Sequence, residues 1–205
     1  MIPVKDNIPV DRFPFATVGL IVANVVVYIV AGHASPRGVT VGSVFGSIFV
    51  HSSLVQLIGN VWFLWLFGTN VEDSMGPVRF VGFYVAGGVI ALGVVLAVDP
   101  GASSPTVGAA GAVAAVLGGY MLLYPRARVL ALVVIIFFFG VLEIPALVML
   151  VAWIAMQAAF ASAGLIGDGG FAYVSYIGGF MFGLAAIRLL ATRRKPTPPT
   201  AAAYR

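Results

Sequence analysis

Few residues in this chain could do chemistry. Cysteine is absent, and histidine occurs only as His33 and His51 among 205 residues. Thiol catalysis, disulfide frameworks and Cys-based zinc or iron–sulfur sites are therefore excluded, and neither a metal site nor a cofactor is expected. A serine nucleophile needs a base within hydrogen-bond reach. Ser52 or Ser53 with His51 is the only local pairing of that kind; Ser103, Ser104 and Ser175 have no histidine near them in the chain. Adjacent residues rarely meet in usable geometry, so His51 reads first as a structural residue of a loop. The other polar residues within apolar stretches include the neutral amides Asn24, Gln56, Asn60 and Gln157. Gln56 and Asn60 lie one helical turn apart and can direct amide hydrogens into one space. Small residues recur at a spacing of four, as Gly111, Ala115 and Gly119 and again as Gly179 and Gly183. Such ridges let two helices in lipid approach backbone to backbone.

The elements that position these residues must lie in a membrane. The chain is 61% hydrophobic and 9% charged, with mean hydropathy +1.08. A soluble domain needs charges at roughly a quarter of its residues. The net charge of +4 comes from basic residues flanking apolar runs, which points to orientation in a lipid bilayer rather than to nucleic acid. A bilayer core of about 30 Å takes about 20 apolar residues per helix. Five runs fit: Phe15 to Ala31, Leu54 to Phe67, Val78 to Val98, Val107 to Leu123 and Ala172 to Ala191, the second extended past its apolar core by neighbouring polar residues. The stretch from Val129 to Gly164 admits one span or two by periodicity alone.

Charge decides between them, since cytoplasmic loops collect Lys and Arg. One span there puts Lys5, Arg12, Arg79, Arg126, Arg128, Arg188, Arg193, Arg194, Lys195 and Arg205 on one side and leaves only Arg37 opposite. The expectation is an all-α, six-span bundle with both termini cytoplasmic. The fifth span then runs from about Ile144 to Gly164 with Pro145 in its first turn, and Val129 to Leu142 is an apolar return segment. The first span lacks a basic leader and a cleavage site and is expected to stay in the mature chain. Residues 1–192 form the membrane domain and 193–205 a basic, proline-rich tail. No ionisable residue stands at membrane depth, which argues against ion-coupled transport and leaves an uncoupled small-solute channel as a third functional reading.

The order of several patterns is more specific. Helix two begins after Phe49-Val50-His51-Ser52-Ser53-Leu54-Val55-Gln56-Leu57-Ile58-Gly59-Asn60 and ends in Phe67-Gly68-Thr69-Asn70-Val71-Glu72-Asp73-Ser74-Met75-Gly76. Helix four opens on Gly108-Ala109-Ala110-Gly111 and closes on Tyr124-Pro125-Arg126, and helix six carries Tyr176-Ile177-Gly178-Gly179-Phe180-Met181-Phe182-Gly183. Together with the N-terminal Ile2-Pro3-Val4-Lys5-Asp6-Asn7-Ile8-Pro9, this succession resembles the rhomboid family of intramembrane serine proteases and its inactive relatives, over residues 1 to 190. The N-terminal segment is similar to bacterial members, implying a bacterial plasma membrane.

The resemblance implies a serine in a Gly-x-Ser-Gly motif at the start of helix four and a histidine base on helix six, a dyad following ordinary nucleophile-and-base logic. Here the serine position is Ala110 and the histidine position is Tyr176. Alanine has no nucleophilic atom, and a phenol with an ordinary pKa near 10 is a poor base at neutral pH. On helix two, Gln56 stands where the family has an oxyanion-side histidine, while Asn60 and His51 remain. Three departures in one pocket favour natural degeneration over an engineered trap. The expected topology sets Gln56, Ala110 and Tyr176 at similar depth, each near the start of an inward-running helix. One expectation is that the Tyr176 ring fills the vacated volume while its hydroxyl bonds Gln56 or Asn60; the other is an interfacial tyrosine at headgroup level. The resemblance thus implies a pseudoprotease that binds transmembrane segments of client membrane proteins. The alternative is an active intramembrane serine protease with a non-standard site.

Overall fold

Apolar runs broken by Gly, Pro and charge become helices in the computed structural model, which describes residues 2–31, 45–51, 53–98, 109–135, 138–162 and 170–192. A strand β1 (Ile2–Asp6) leads into α1 (Phe15–Ala31). Then come α2 (Leu54–Met75), α3 (Pro77–Val98) and α4 (Ala110–Leu123). A hairpin of β2 (Arg128–Ile135) and β3 (Phe138–Pro145) precedes α5 (Ala146–Ser162) and α6 (Gly170–Leu190). Helices α2, α3 and the Tyr173–Leu190 part of α6 are long and apolar enough to cross a membrane; α1, α4 and α5 are shorter apolar helices.

The fold is mostly helical, but the all-α expectation is corrected by a three-stranded antiparallel sheet in the order β1-β2-β3. Arg128 pairs with Pro145 and, at the hairpin tip, Ile135 with Phe138. On the other edge of β2, Ile2 pairs with Leu132 and Asp6 with Val129, with an irregularity between Pro3 and Lys5. Residues 129–135 and 138–142 of the expected return segment thus lie in strands. An apolar β-branched run satisfies its backbone groups by pairing when a second strand lies beside it. Pro145 likewise ends β3 instead of occupying a helical turn, and the helix begins at Ala146.

Helix α2 continues past its apolar run, which ends at Phe67, through the neighbouring polar residues to Met75, and this polar end, Thr69–Met75, is buried throughout. A π-turn at Leu64–Gly68 interrupts it. Gly76, at φ +84°, stops it in a conformation that L side chains rarely adopt.

The core is centred on α4, every residue of which from Ala110 to Tyr120 is buried. Its small residues explain the closeness. A Cβ on Gly179 would collide with the Gly111 carbonyl, and one on Gly183 with the Ala115 carbonyl, while the space at Gly119 is bounded by Phe83 and Ile187. Each pairing advances four residues on both helices, so α4 and α6 run parallel. Against α3 the order reverses: Gly87 faces Ala115 and Gly111 faces Ala91.

Candidate functional site

The helix starts converge at one end of the bundle. Ser53 caps α2 by accepting the Gln56 N–H at 3.2 Å. Ala109, just before α4, donates its N–H to the Val50 carbonyl at 3.3 Å, tying the segment that carries His51 to the helix start. A Cβ on Gly111 would lie 3.3 Å from the Ser175 carbonyl, which puts the first turn of α4 beside the residue preceding Tyr176. Gln56 in turn hydrogen-bonds the Tyr176 side chain. Gln56, Ala110, Gly111 and Tyr176 thus share one end, as their places in α2, α4 and α6 require.

Ala110 is fully buried, whereas Tyr176 and Gln56 are half-buried. The Tyr176 ring lies edge-on to Trp153 of α5, centroids 5.2 Å apart at 80°, and near Tyr173 at 6.4 Å. Trp153 also meets Phe63 of α2 at 6.1 Å. Aromatic edges packed on faces fill space with favourable quadrupole geometry, so α2, α5 and α6 close on an aromatic cluster.

Asn60, a turn below Gln56, is buried, and its Nδ2 has no hydrogen-bond acceptor. His51 is fully buried; its Nδ1 donates to the Phe49 carbonyl at 3.1 Å, and its Nε2 is unpaired. Loss of water around this loop residue pushes its pKa down to about 4. That makes it a weak base. Ser53 spends its oxygen on the α2 cap, while Ser52, Ser103, Ser104, His33 and Gly108 lie outside the described residues. Among the described residues no cluster of His, Cys, Asp or Glu could hold a metal.

A second polar cluster, at the opposite end, had no counterpart among the expected site residues. The Glu72 carboxylate accepts from the Ala16 N–H at 3.0 Å and from the Thr17 N–H and hydroxyl, each at 2.7 Å. It thereby caps the start of α1 from another helix. Asp6 Oδ2 accepts from the Tyr120 hydroxyl at 2.6 Å and from Asn70 Nδ2 at 2.7 Å. Burial pushes the Asp6 carboxyl up to about 6, partly offset by the Tyr120 bond. Burial also raises Tyr124, reinforced by the negative charges of Asp73, Asp6 and Asp11. The signal available in sequence was the run Asn70-Val71-Glu72-Asp73-Ser74, too polar to be an ordinary span end in lipid.

Parallel α2, α4 and α6 whose first turns converge at one end, in a chain with helices of membrane-crossing length, define a polytopic integral membrane protein. The Rhomboid domain model matches residues 38–193, and the chain belongs to the rhomboid family. It is 33% identical over 141 residues to the rat presenilin-associated rhomboid-like protein, mitochondrial, covering 67% of this chain and 35% of that protein. The human protein of that name is 31% identical over the same length, with the same coverage. Yeast rhomboid protein 1, mitochondrial, is 31% identical over 149 residues, 69% of this chain and 40% of its own. The chain therefore spans well under half the length of these relatives.

Proposed function

We propose that the chain is a pseudoprotease, a six-span bundle with both termini cytoplasmic, which receives transmembrane segments of client membrane proteins without cutting them. The observation that carries this reading is what stands at the two dyad positions that the resemblance implies. A buried methyl at Ala110 stands in the nucleophile position, and the Tyr176 hydroxyl is engaged by Gln56. Neither group can open a peptide bond. The weak basicity of His51 and the capping role of Ser53 leave little support for the alternative, a relocated serine protease. A small-solute channel gains no support from the described residues. The relatives named above are mitochondrial, so a bacterial plasma membrane rests only on the resemblance of the N-terminal segment.

The test is labelling by a serine-directed fluorophosphonate with a transmembrane-substrate cleavage assay, using an active rhomboid as control. The unaltered chain is expected to be silent in both, whereas Ala110→Ser with Tyr176→His is expected to recover cleavage. Labelling and cleavage by the unaltered chain would establish a working relocated site. Photo-crosslinkers on α2, α5 and α6 in native membranes are expected to trap membrane proteins; capture of lipid alone refutes client binding.

A further inference from the structure

Two cavities outside the pocket meet at one side chain. The first, about 400 Å³, lies between β1, the chain that follows it and the π-turn of α2, and is lined by Lys5, Asp6, Ile8, Val10, Trp65 and Asn70 among others. The second, about 380 Å³, is an almost wholly apolar groove between α1 and α2, walled by Ile21, Val25, Leu57, Val61, Trp62 and again Trp65. Trp62 and Trp65 are 43% and 53% exposed. The groove follows α2 from Leu57 to Trp65, about 12 Å at the helical rise. It is walled by the flanks of two membrane helices, and the polar cavity sits where those helices give way to β1.

The polar end has a definite chemistry. Lys5 is an exposed cation, and Asp6 is a buried carboxylate already held by Tyr120 and Asn70. Asn70 is 1% exposed and spends its Nδ2 on Asp6, while its Oδ1 is buried with no donor. A buried carbonyl oxygen without a partner is uncommon and calls for an N–H or O–H. The cavity wall thus holds a carboxylate, an amide oxygen that lacks a donor and one cation, with an apolar slot continuing from it. Complementarity asks for a zwitterion with hydrogen-bond donors on its positive end and a hydrocarbon chain on its other side. A trimethylated ammonium has no N–H to give, and an anionic headgroup without an amine would meet Asp6 with like charge.

We propose that β1, α1 and α2 hold one phospholipid with a primary-ammonium headgroup, its ammonium at Asp6 and Asn70, its phosphate at Lys5 and one acyl chain in the groove past Trp65. This site is separate from the Ala110–Tyr176 pocket and stands whether or not that pocket cuts peptides.

The test uses the full chain in phosphatidylcholine nanodiscs doped with acyl-brominated lipid, with tryptophan emission as readout. A charge-assisted hydrogen bond corresponds to roughly a tenfold affinity ratio. Brominated phosphatidylethanolamine is therefore expected to quench at roughly a tenth of the mole fraction needed by brominated phosphatidylcholine or phosphatidylglycerol. Trp65→Phe should remove that ethanolamine-specific component, and Asp6→Asn should bring the three lipids together. Should Asp6→Asn fail to fold, Val61→Phe, which fills the groove from its lipid-facing wall, is expected to weaken the specific quenching with helicity unchanged. Equal quenching by the three lipids in the unaltered chain, a preference for phosphatidylglycerol, or a preference that survives Val61→Phe in a folded sample would each overturn the proposal.

Discussion

The two ends of the bundle handle buried polarity with different kinds of bond. At the Glu72 end, carboxylates meet donors from distant parts of the chain: Glu72 holds α1, Asp6 joins β1 to α2 and α4, and Thr192 donates its N–H to the Ser74 carbonyl at 3.0 Å. At the Gln56 end the polar groups are fewer, and two buried nitrogens, Asn60 Nδ2 and His51 Nε2, have no partner. Aromatic rings and an alanine methyl fill that space. About 20 Å of α2 separates Gln56 from Asn70, so the same helix serves both ends. Asn70 Oδ1 at the Glu72 end is also buried without a donor, so the ends differ not in being fully paired but in the charge-assisted bonds that the carboxylates make across distant elements, which are stronger than neutral ones.

Substitutions at the two ends should therefore differ in scale. The largest effect is expected from Glu72→Ala, which leaves the α1 start and the Thr17 hydroxyl without their acceptor. A loss of about 3 kcal/mol or more in detergent unfolding follows from charge-assisted bonds of this kind. A loss below about 1 kcal/mol would erase the contrast between the ends.

Asp6 comes next and gives a pH signature. Its carboxyl rises from 3.8 unfolded to about 6 in the native chain, so the native state binds that proton more tightly. The resulting stability is fully present below about pH 4 and is lost as pH rises through about 6, a change of roughly 3 kcal/mol. Unfolding midpoints across that window should show a downward slope with rising pH that Asp6→Asn flattens. An unchanged slope in the variant would assign it to other groups.

At the pocket end, Tyr176→Phe should cost only about 1 kcal/mol, the loss of one neutral hydrogen bond with the ring retained. A cost as large as that of Glu72→Ala would mean that the pocket also holds the fold. Smallest of all, Asn60→Leu is expected to shift stability by no more than about 0.5 kcal/mol in either direction, because Nδ2 has no bond to lose. A strong destabilisation would reveal a partner for Asn60.

Much of this was legible in the residues. The bounds of α1 are those of its apolar run, and α3 starts one residue before the expected position. The four-residue ridges lie where α4 and α6 touch, since spacing on a helix fixes a face. What the polar extension of helix two could not show is what pairs it: Asp6 meets Asn70 and Thr17 meets Glu72 from far along the chain. The hairpin was hidden for a similar reason. An apolar run such as Val129–Leu132 suits helix or strand equally, and its pairing with Ile2–Asp6 spans more than 120 residues of sequence.

The sequence by itself determined the membrane class, the family resemblance and the placing of alanine at 110 and tyrosine at 176, since these depend on which side chains exist and in what order. Only the tertiary structure decided that Tyr176 meets Gln56, that Glu72 caps α1, and that Asp6 lies buried between α2 and α4 beside an amphipathic cavity. Those facts are contacts between residues distant in sequence, and the free energy of a buried polar group depends on the partners that folding brings to it.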